Sequence, residues 1–509
     1  MQGSGNPSMS WAHKGTLNKL SFGLSGICSC LCDRRQAVAT EHGAIFEAMT
    51  GLSGLEHFLA AMTKVMYNYH SKMRNSMKLK ILLVNPWIFD FAAFNLWARP
   101  LGLLRVAEYL SCFDTELFFI DCTGACTEGR SGAGKYSAEE VNKPSLLKAV
   151  PRKFKRYGIC MDEFVRQVKA AMPFDAVLMT SVMSYWYPGV QKASEMIREL
   201  AGDVPVILGG IYATLYHEHA VNASGADFVF SGPLTESLKF ALSTFGFKLK
   251  KKRDNIPYYQ LDFYTDCSFA PLQTSTGCPF QCAYCASGLL SGTQCRRQSP
   301  GEVLAEITEL HHKGARDYVF YDDALLYDAD SHAKPILQGI ADSGLHAGFH
   351  TPNGLHARFV DGDVARLMRR VGFKTVRLGF ETADLARQHD TGAKVTNSDL
   401  ERAVALFKQC GFTKNELGVY LMYGLPGQDL SEVAEGVGFL QKLNVKIYLA
   451  EFSPVKGTRS WNELVQNGII DETLDPLLTN NTVFPFLYSG YDAGAVQALK
   501  LEVKAYNQI

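Results

Sequence analysis

Apolar residues in this chain gather in short unbroken runs, and most runs end in Gly, Pro, Asn, Asp or Ser. The stretch Met77-Lys-Leu-Lys-Ile-Leu-Leu-Val-Asn-Pro shows the type, a buried strand closed by an Asn-Pro turn. Runs of this kind at 81–84, 116–120, 176–180, 206–208 and 228–230 predict five short strands, with helical spacing between them at 103–112 and 190–200. Strands that are apolar throughout and separated by helices predict a parallel sheet covered on both faces. A second alternation follows, with strands expected at 270–274, 318–321, 348–352, 375–380, 417–422 and 446–452. Each ends in polar or turn residues: a cysteine loop, Asp322-Asp323, Asn353, Glu381-Thr382, Gly-Leu-Pro-Gly and Ser-Pro. Parallel α/β sheets bind ligands beyond the carboxyl ends of their strands, so chemistry is expected in these loops.

A chain of 509 residues exceeds one ordinary core and implies two or three domains. The 51 basic and 51 acidic residues cancel, which removes any general pull toward nucleic acid or an anionic membrane. No uninterrupted apolar run reaches the length of a membrane span. Thirteen dispersed cysteines fit a reducing compartment in which a few are ligands, so a cytoplasmic location is expected. Residues 1–76 read differently, with early Gly and Ser, irregular apolar spacing, one helical stretch near 54–69 and a CxCxC at Cys28, Cys30 and Cys32. The apolar stretch at 20–32 lacks a small-residue cleavage site and makes a poor signal peptide. This segment reads as an N-terminal extension outside the core, translated from an upstream start, and a chain begun at Met77 is expected to fold. The basic segment 141–157, with Lys143, Lys148, Arg152, Lys153, Lys155 and Arg156, reads as a solvated helix or linker.

The most specific feature is Thr-Gly-Cys-Pro-Phe-Gln-Cys-Ala-Tyr-Cys-Ala-Ser, in which Cys278, Cys282 and Cys285 are spaced CxxxCxxC. Thiolates select zinc, copper(I) or iron–sulfur clusters. A structural zinc site needs a fourth protein ligand, for which Cys267 and Cys295 are the candidates. A four-iron cluster on three cysteines instead leaves one iron open to a small molecule. With Tyr284 before the third cysteine, the motif resembles that of the radical S-adenosylmethionine (radical SAM) superfamily. The resemblance implies a [4Fe–4S] cluster on Cys278, Cys282 and Cys285. Its open iron would chelate the amino and carboxylate groups of S-adenosylmethionine, and one electron would cleave the sulfonium to a 5′-deoxyadenosyl radical. It also implies an electron donor such as flavodoxin or ferredoxin.

The resemblance covers roughly residues 77–460. A five-stranded domain before the cysteine motif, with Val-Ile-Leu-Gly-Gly-Ile-Tyr-Ala-Thr and Ser-Gly-Pro-Leu-Thr-Glu at its fourth and fifth strands, resembles the cobalamin-binding subclass. The implied fold is α/β. A Rossmann-like parallel sheet domain of the cobalamin-binding type (77–250) precedes a partial (β/α)6 TIM-type barrel (265–460) and a helical tail (461–509). Ser181, Gly209, Gly210 and Gly232, at the strand ends, are the candidates for cobalamin contact. The chain departs from the DxHxxG signature of that subclass. Its first-strand loop, 85–99, carries Trp87, Phe89, Phe91, Phe94 and Trp97 but no His, so cobalamin is expected without a protein imidazole on its lower face. A domain that kept this fold and lost the cofactor is the alternative.

In the barrel half, the resemblance places Tyr284 along the adenine and assigns Asp322 or Asp323 to the ammonium of S-adenosylmethionine or to substrate. Helix N-capping is the structural alternative for that pair. Glu381 falls to the ribose or amino-acid part of the nucleotide, with pairing to Arg358 or Arg377 the alternative. Gly424-Leu-Pro426-Gly427 resembles the adenine-side turn, and Ser453-Pro-Val-Lys-Gly-Thr a Pro-x-Pro-Gly-Thr segment in which Lys456 replaces a proline. The expected activity is cobalamin-dependent radical methylation of a small-molecule or peptide substrate, with no specific nucleic acid and no membrane as partner. The alternatives are a radical rearrangement or cyclisation without cobalamin, and a metal-cluster-binding protein without turnover.

Overall fold

The computed structural model describes residues 78–508 apart from 125, 129–131, 133, 233, 255, 257, 259 and 260. The extension expected at 1–76 and its CxCxC lie outside the described residues.

The first apolar run becomes β1, Leu79–Asn85, in which Ile81 to Val84 are fully buried. Successive side chains of a strand point to opposite faces. Ile81 and Leu83 accordingly join one core with Leu103, Leu110 and Leu238, while Leu82 and Val84 join another with Phe164, Val190 and Ile197. β1 pairs in parallel with β2 (Thr115–Asp121) on one side and β3 (Ala176–Met179) on the other. β4 (Val206–Leu208) and β5 (Phe228–Val229) complete a parallel sheet of order β5-β4-β3-β1-β2. The strand order reverses between β1 and β3, which opens a crevice at their carboxyl ends.

The second sheet runs β6 (Phe269–Leu272), β7 (Asp317–Phe320), β8 (Gly348–His356), β9 (Phe373–Glu381), β10 (Leu417–Tyr423) and β11 (Lys446–Glu451), parallel and in sequential order. One face packs its apolar residues, among them Leu272, Phe320, Phe373, Leu378, Val419 and Ile447, beneath the surrounding helices. Arg377, Tyr420 and Tyr448 are outside that core. Arg377 lies over the Tyr448 ring at 4.3 Å and donates to its hydroxyl at 2.8 Å, which ties β9 to β11 across β10. A mixed α/β architecture with parallel sheets is thus what the alternating pattern called for.

Two features depart from the sequence expectation. Residues 88–95 and 126–157 fold into two small antiparallel sheets that the pattern did not announce, because their strands are only two or three residues long. The basic segment is neither helix nor free linker. It holds one 3-10 turn, Ser145–Leu147, and a strand, Lys155–Tyr157, with Lys153 paired to Glu140 and Arg156 to Glu139. Among the described residues, no helix is long and apolar enough to cross a membrane.

Candidate active site

The cysteine loop leaves β6 through Thr274, Ser275 and Thr276 and turns at Gly277, whose φ of +88° and 2.3 Å clearance to the Gln294 carbonyl exclude any larger residue. Backbone hydrogen bonds hold the loop independently of its thiols. Cys278 N–H donates to Gly292, Ala283 N–H to Thr391, and Ser460 N–H to the Ala283 carbonyl, at 3.1, 2.9 and 2.9 Å. Cys278 is buried, Cys282 half-buried and Cys285 exposed, and none is in a disulfide.

Burial pushes the Cys278 thiol up to about 11 and raises Cys282, with the neighbouring thiols adding to both effects and Lys394 opposing at Cys282. Sulfurs so placed become stable thiolates only beside a cationic centre, which is what a bound metal cluster provides. Among the described residues, no group of three or more His, Cys, Asp or Glu converges as a single ion requires. A cluster that binds each thiolate to a different iron does not need that convergence. Cys267, one candidate for a fourth ligand, lies at the opposite end of β6 and directs its thiol to the carbonyls of Leu261 and Tyr264. The residues present therefore fit a three-thiolate cluster.

The two aspartates after β7 have separate surroundings. Asp322 is buried and accepts four hydrogen bonds, from the backbone N–H and hydroxyl of both Thr274 and Ser275, at 2.6 to 3.2 Å. Burial still raises its pKa against those bonds. Its carboxylate fixes the entry to the cysteine loop. Asp323 instead accepts from Ser287 Oγ at 2.9 Å, and Ser287 Oγ lies 3.2 Å from Cys285 Sγ. Neither aspartate caps a helix, since the next helix starts at Ala333. Asp322→Ala strands two buried N–H donors at a cost of about 1–3 kcal/mol each. With the loop entry unsupported, iron retention under chelator challenge is expected to fall about 10- to 100-fold.

Thr274 Oγ1 also lies 2.9 Å from His332 Nε2. Because that hydroxyl donates to Asp322, the imidazole must donate from Nε2. Burial lowers His332 to about 4 and His356, stacked on Phe280 of the cysteine loop, to about 3. An unfolded imidazole titrates near 6.5, so on acidification the unfolded chain takes up protons first. Stability present above about pH 6.5 is therefore lost between there and about pH 3. The unfolding midpoint should fall across that window, and His332→Gln should flatten the decline.

Glu381 ends β9 with φ +71°, next to an irregularity in its pairing with β10. It pairs at 3.2 Å with Lys394, and not with Arg358 or Arg377. Burial works against the Lys394 ammonium, but Glu381 and the thiols outweigh it and raise its pKa. The Tyr284 hydroxyl is buried near Glu381 without a hydrogen bond of normal geometry. The Tyr284 ring packs against the apolar cluster that contains Leu425 of the Gly-Leu-Pro-Gly turn. That turn is fixed by Arg387, which donates to the carbonyls of Pro426 and Gly427 at 3.0 Å each and pairs with Glu432. Gly424 is at φ +86° with Pro485 against it.

Cys278, Cys282, Cys285, Tyr284, Asp323 and Glu381 are thus drawn into one neighbourhood, and Lys394, Ser287, Thr274 and His332 are the residues sequence reasoning missed there. The helix Ser287–Ser291, which follows the loop, packs on Ile211–Leu215 of the first sheet's region. Over the carboxyl ends of β1 and β3 lies a small cavity of about 70 Å³, lined in part by Asn85, Arg99, Thr123, Ser181 and Trp186. Gly209 and Gly210 do not line it. A Cβ on Gly209 would strike the Phe230 ring, and a Cβ on Gly210, which sits at φ +92°, would come 2.6 Å from Thr180 Oγ1, so the chain's own packing already requires both. Gly232 is exposed at φ +100°. Trp87 and Phe91 are core residues, and Trp97 stacks on His350 of β8.

Residues 272–440 match the Radical SAM superfamily. An uncharacterised methyltransferase of Pyrococcus horikoshii is 28% identical over 240 residues, which are 45% of this chain and 48% of that protein, so the chain spans about half the length of this relative. Cytidylyl-2-hydroxyethylphosphonate methyltransferase of Streptomyces wedmorensis is 22% identical over 467 residues, 77% of this chain and 83% of that protein. Among solved structures, the radical S-adenosylmethionine methyltransferase TsrM of Kitasatospora setae, with cobalamin and a [4Fe–4S] cluster bound, superimposes with a TM-score of 0.56. It is 16% identical and the match covers 77% of this chain and 75% of TsrM, a similarity of fold.

Proposed function

We propose that the radical SAM domain carried by this chain, together with the parallel sheet domain before it, acts as a cobalamin-dependent radical methyltransferase. The observation that carries the reading is the three-thiol loop held against Glu381, Lys394 and Asp323, with the Cys267 thiol engaged elsewhere. In this reading residues 77–250 are a Rossmann-like domain of the cobalamin-binding type, 265–460 a partial (β/α)6 barrel and 461–509 a tail that closes it. When bound, the cluster supplies the electron that cleaves S-adenosylmethionine to a 5′-deoxyadenosyl radical, and cobalamin supplies the methyl group.

The chain's own residues hold and orient. Cys278, Cys282 and Cys285 ligate the cluster, and Asp323, half-buried beside Cys285, offers a carboxylate to the nucleotide ammonium. The Lys394 ammonium is suited to a carboxylate, while Glu381 keeps it charged and in place. The Gly424 to Gly427 turn and Tyr284 present backbone and ring to the adenine. Ser181 and the polar residues around the small cavity over β1 and β3 would face the corrin side. The cytoplasm, with a flavodoxin- or ferredoxin-type donor, supplies the reducing conditions this chemistry needs.

Anaerobic purification and reconstitution, followed by iron and cobalt analysis and an assay for 5′-deoxyadenosine, tests the reading. Iron with 5′-deoxyadenosine but no cobalamin uptake would leave a radical SAM enzyme of another reaction type. The loop after β1, residues 85–99, carries no His. Electron paramagnetic resonance of cobalt(II) cobalamin on the protein is therefore expected to lack the nitrogen splitting of an axial imidazole, and its presence would refute the proposed lower face.

A further inference from the structure

A second cavity, of about 460 Å³ and open to solvent, lies where three parts of the chain meet. Its walls are Val150, Pro151 and Arg152 from the small-sheet insertion, Tyr423 and Glu451 at the carboxyl ends of β10 and β11, and residues 481–500 of the tail. It is no accident of a loose terminus. Asn480 donates to the buried Asp90 of the first sheet's region at 2.9 Å, Tyr187 to Asp475 at 3.2 Å, and Tyr491 to the Gln428 carbonyl at 2.8 Å, so the tail is tied to both sheets. The cavity adjoins the chemistry on two sides. Pro485 of its wall packs against Gly424 of the adenine-side turn, and Glu451 acts electrostatically on Tyr185, which follows β3 at the carboxyl end of the first sheet.

The lining has two characters. Val150, Pro151, Pro485, Phe486 and Val496 make an apolar part, in which Phe486 is 42% exposed although it is a large aromatic residue. Opposite them stand two cations and one carboxylate. Glu451 is already spoken for, accepting from Lys500 at 2.6 Å and from the buried Tyr423 hydroxyl at 2.7 Å. Arg152 has only a hydrogen bond to Thr482 Oγ1 at 3.1 Å, and its charge acts on Tyr423 across the cavity. The net charge of the lining is therefore positive, and its one cation without a carboxylate is a guanidinium, the side chain whose planar fork matches an oxyanion.

We propose that this cavity binds the substrate, and that the substrate joins an apolar body to an anionic group, a carboxylate or a phosphate-type oxyanion, received by Arg152. The assignment rests on the methyltransferase reading, which it deepens by naming the substrate class. The loops from both sheets then converge on a molecule whose charged end is anchored at the insertion and whose apolar end lies along Phe486 and Pro485.

The test uses two fluorescent probes on the full chain with its cluster reconstituted: anilinonaphthalene sulfonate, an aromatic anion, and phenylnaphthylamine, its neutral counterpart. Saturable sulfonate binding at one site is expected, weakened about tenfold by Arg152→Ala, as loss of one charge-assisted hydrogen bond predicts. Arg152→Lys should recover part of the affinity, and Arg166→Ala, on a surface helix away from the cavity, should change nothing. The neutral probe should bind parent and Arg152→Ala alike. Benzoate and phenyl phosphate then compete against the sulfonate, and the stronger competitor identifies the oxyanion. Equal sulfonate affinity in parent and Arg152→Ala, or displacement by neither competitor, overturns the proposal. Production of 5′-deoxyadenosine by the parent is scored separately: its absence sinks the radical SAM reading, whereas failure of the probe arms with 5′-deoxyadenosine intact sinks only the pocket.

Discussion

Single replacement of Cys278, Cys282 or Cys285 by Ala is expected to stop cluster assembly and bring 5′-deoxyadenosine formation down to background. In the proposed site each thiolate is one of three ligands, and the Cys267 thiol is engaged at the far end of β6, away from the loop. The loop itself should survive these changes. It is held by the backbone bonds from Cys278 to Gly292, from Ala283 to Thr391 and from Ser460 to Ala283, none of which uses a thiol. Circular dichroism of each variant should therefore match the parent while the visible absorption of the cluster is lost. Cys267→Ala should keep both the cluster and turnover. A single variant of the three ligands that makes 5′-deoxyadenosine at the parental rate after reconstitution would remove the assignment. Stoichiometric zinc without iron would favour the protein without turnover.

Lys394→Met is expected to have the largest effect on stability, about 3–5 kcal/mol, because it leaves the Glu381 carboxylate buried and unpaired. The side chains of the pair are only 15% and 10% exposed, so solvent does little to screen the loss. Replacing both partners, Lys394→Met with Glu381→Gln, should recover much of the loss, since a buried neutral amide costs far less to desolvate than an unpaired carboxylate. A double-mutant cycle read by urea unfolding checks this. If the two single effects simply add, the pair is not energetically coupled and its place beneath the cysteine loop is incidental.

The parts of this site that were legible in the chain are those whose chemistry is local. Ligand spacing at Cys278, Cys282 and Cys285 is set within eight residues, and a short loop keeps them together whatever surrounds it. Glu381 was placed correctly at a strand end, but its partner was sought at Arg358 and Arg377. Its actual partner, Lys394, lies in a turn whose approach to the cysteine loop depends on Gly392, where a Cβ would come 3.0 Å from the Cys282 backbone. The Asp322-Asp323 pair read as two interchangeable carboxylates. Strand β7 turns one into the segment leaving β6 and leaves the other beside Cys285, a division fixed by the pleat and by the register of β7 against β6. Glycines 209 and 210 looked like room for a ligand, and the fold uses that room for the Phe230 ring and Thr180.

By itself the sequence determined the alternation of strand and helix, the two parallel sheets and the thiol motif, because apolar periodicity and ligand spacing act over a few residues and tolerate any context. Only the tertiary structure decided which charges meet. The Glu381–Lys394 pair, the His332–Thr274–Asp322 chain and the cavity around Arg152 join residues 13, 58 and more than 300 positions apart. Such contacts depend on how the two sheets, the insertion and the tail pack together, and packing is a property of the whole core that no local pattern encodes.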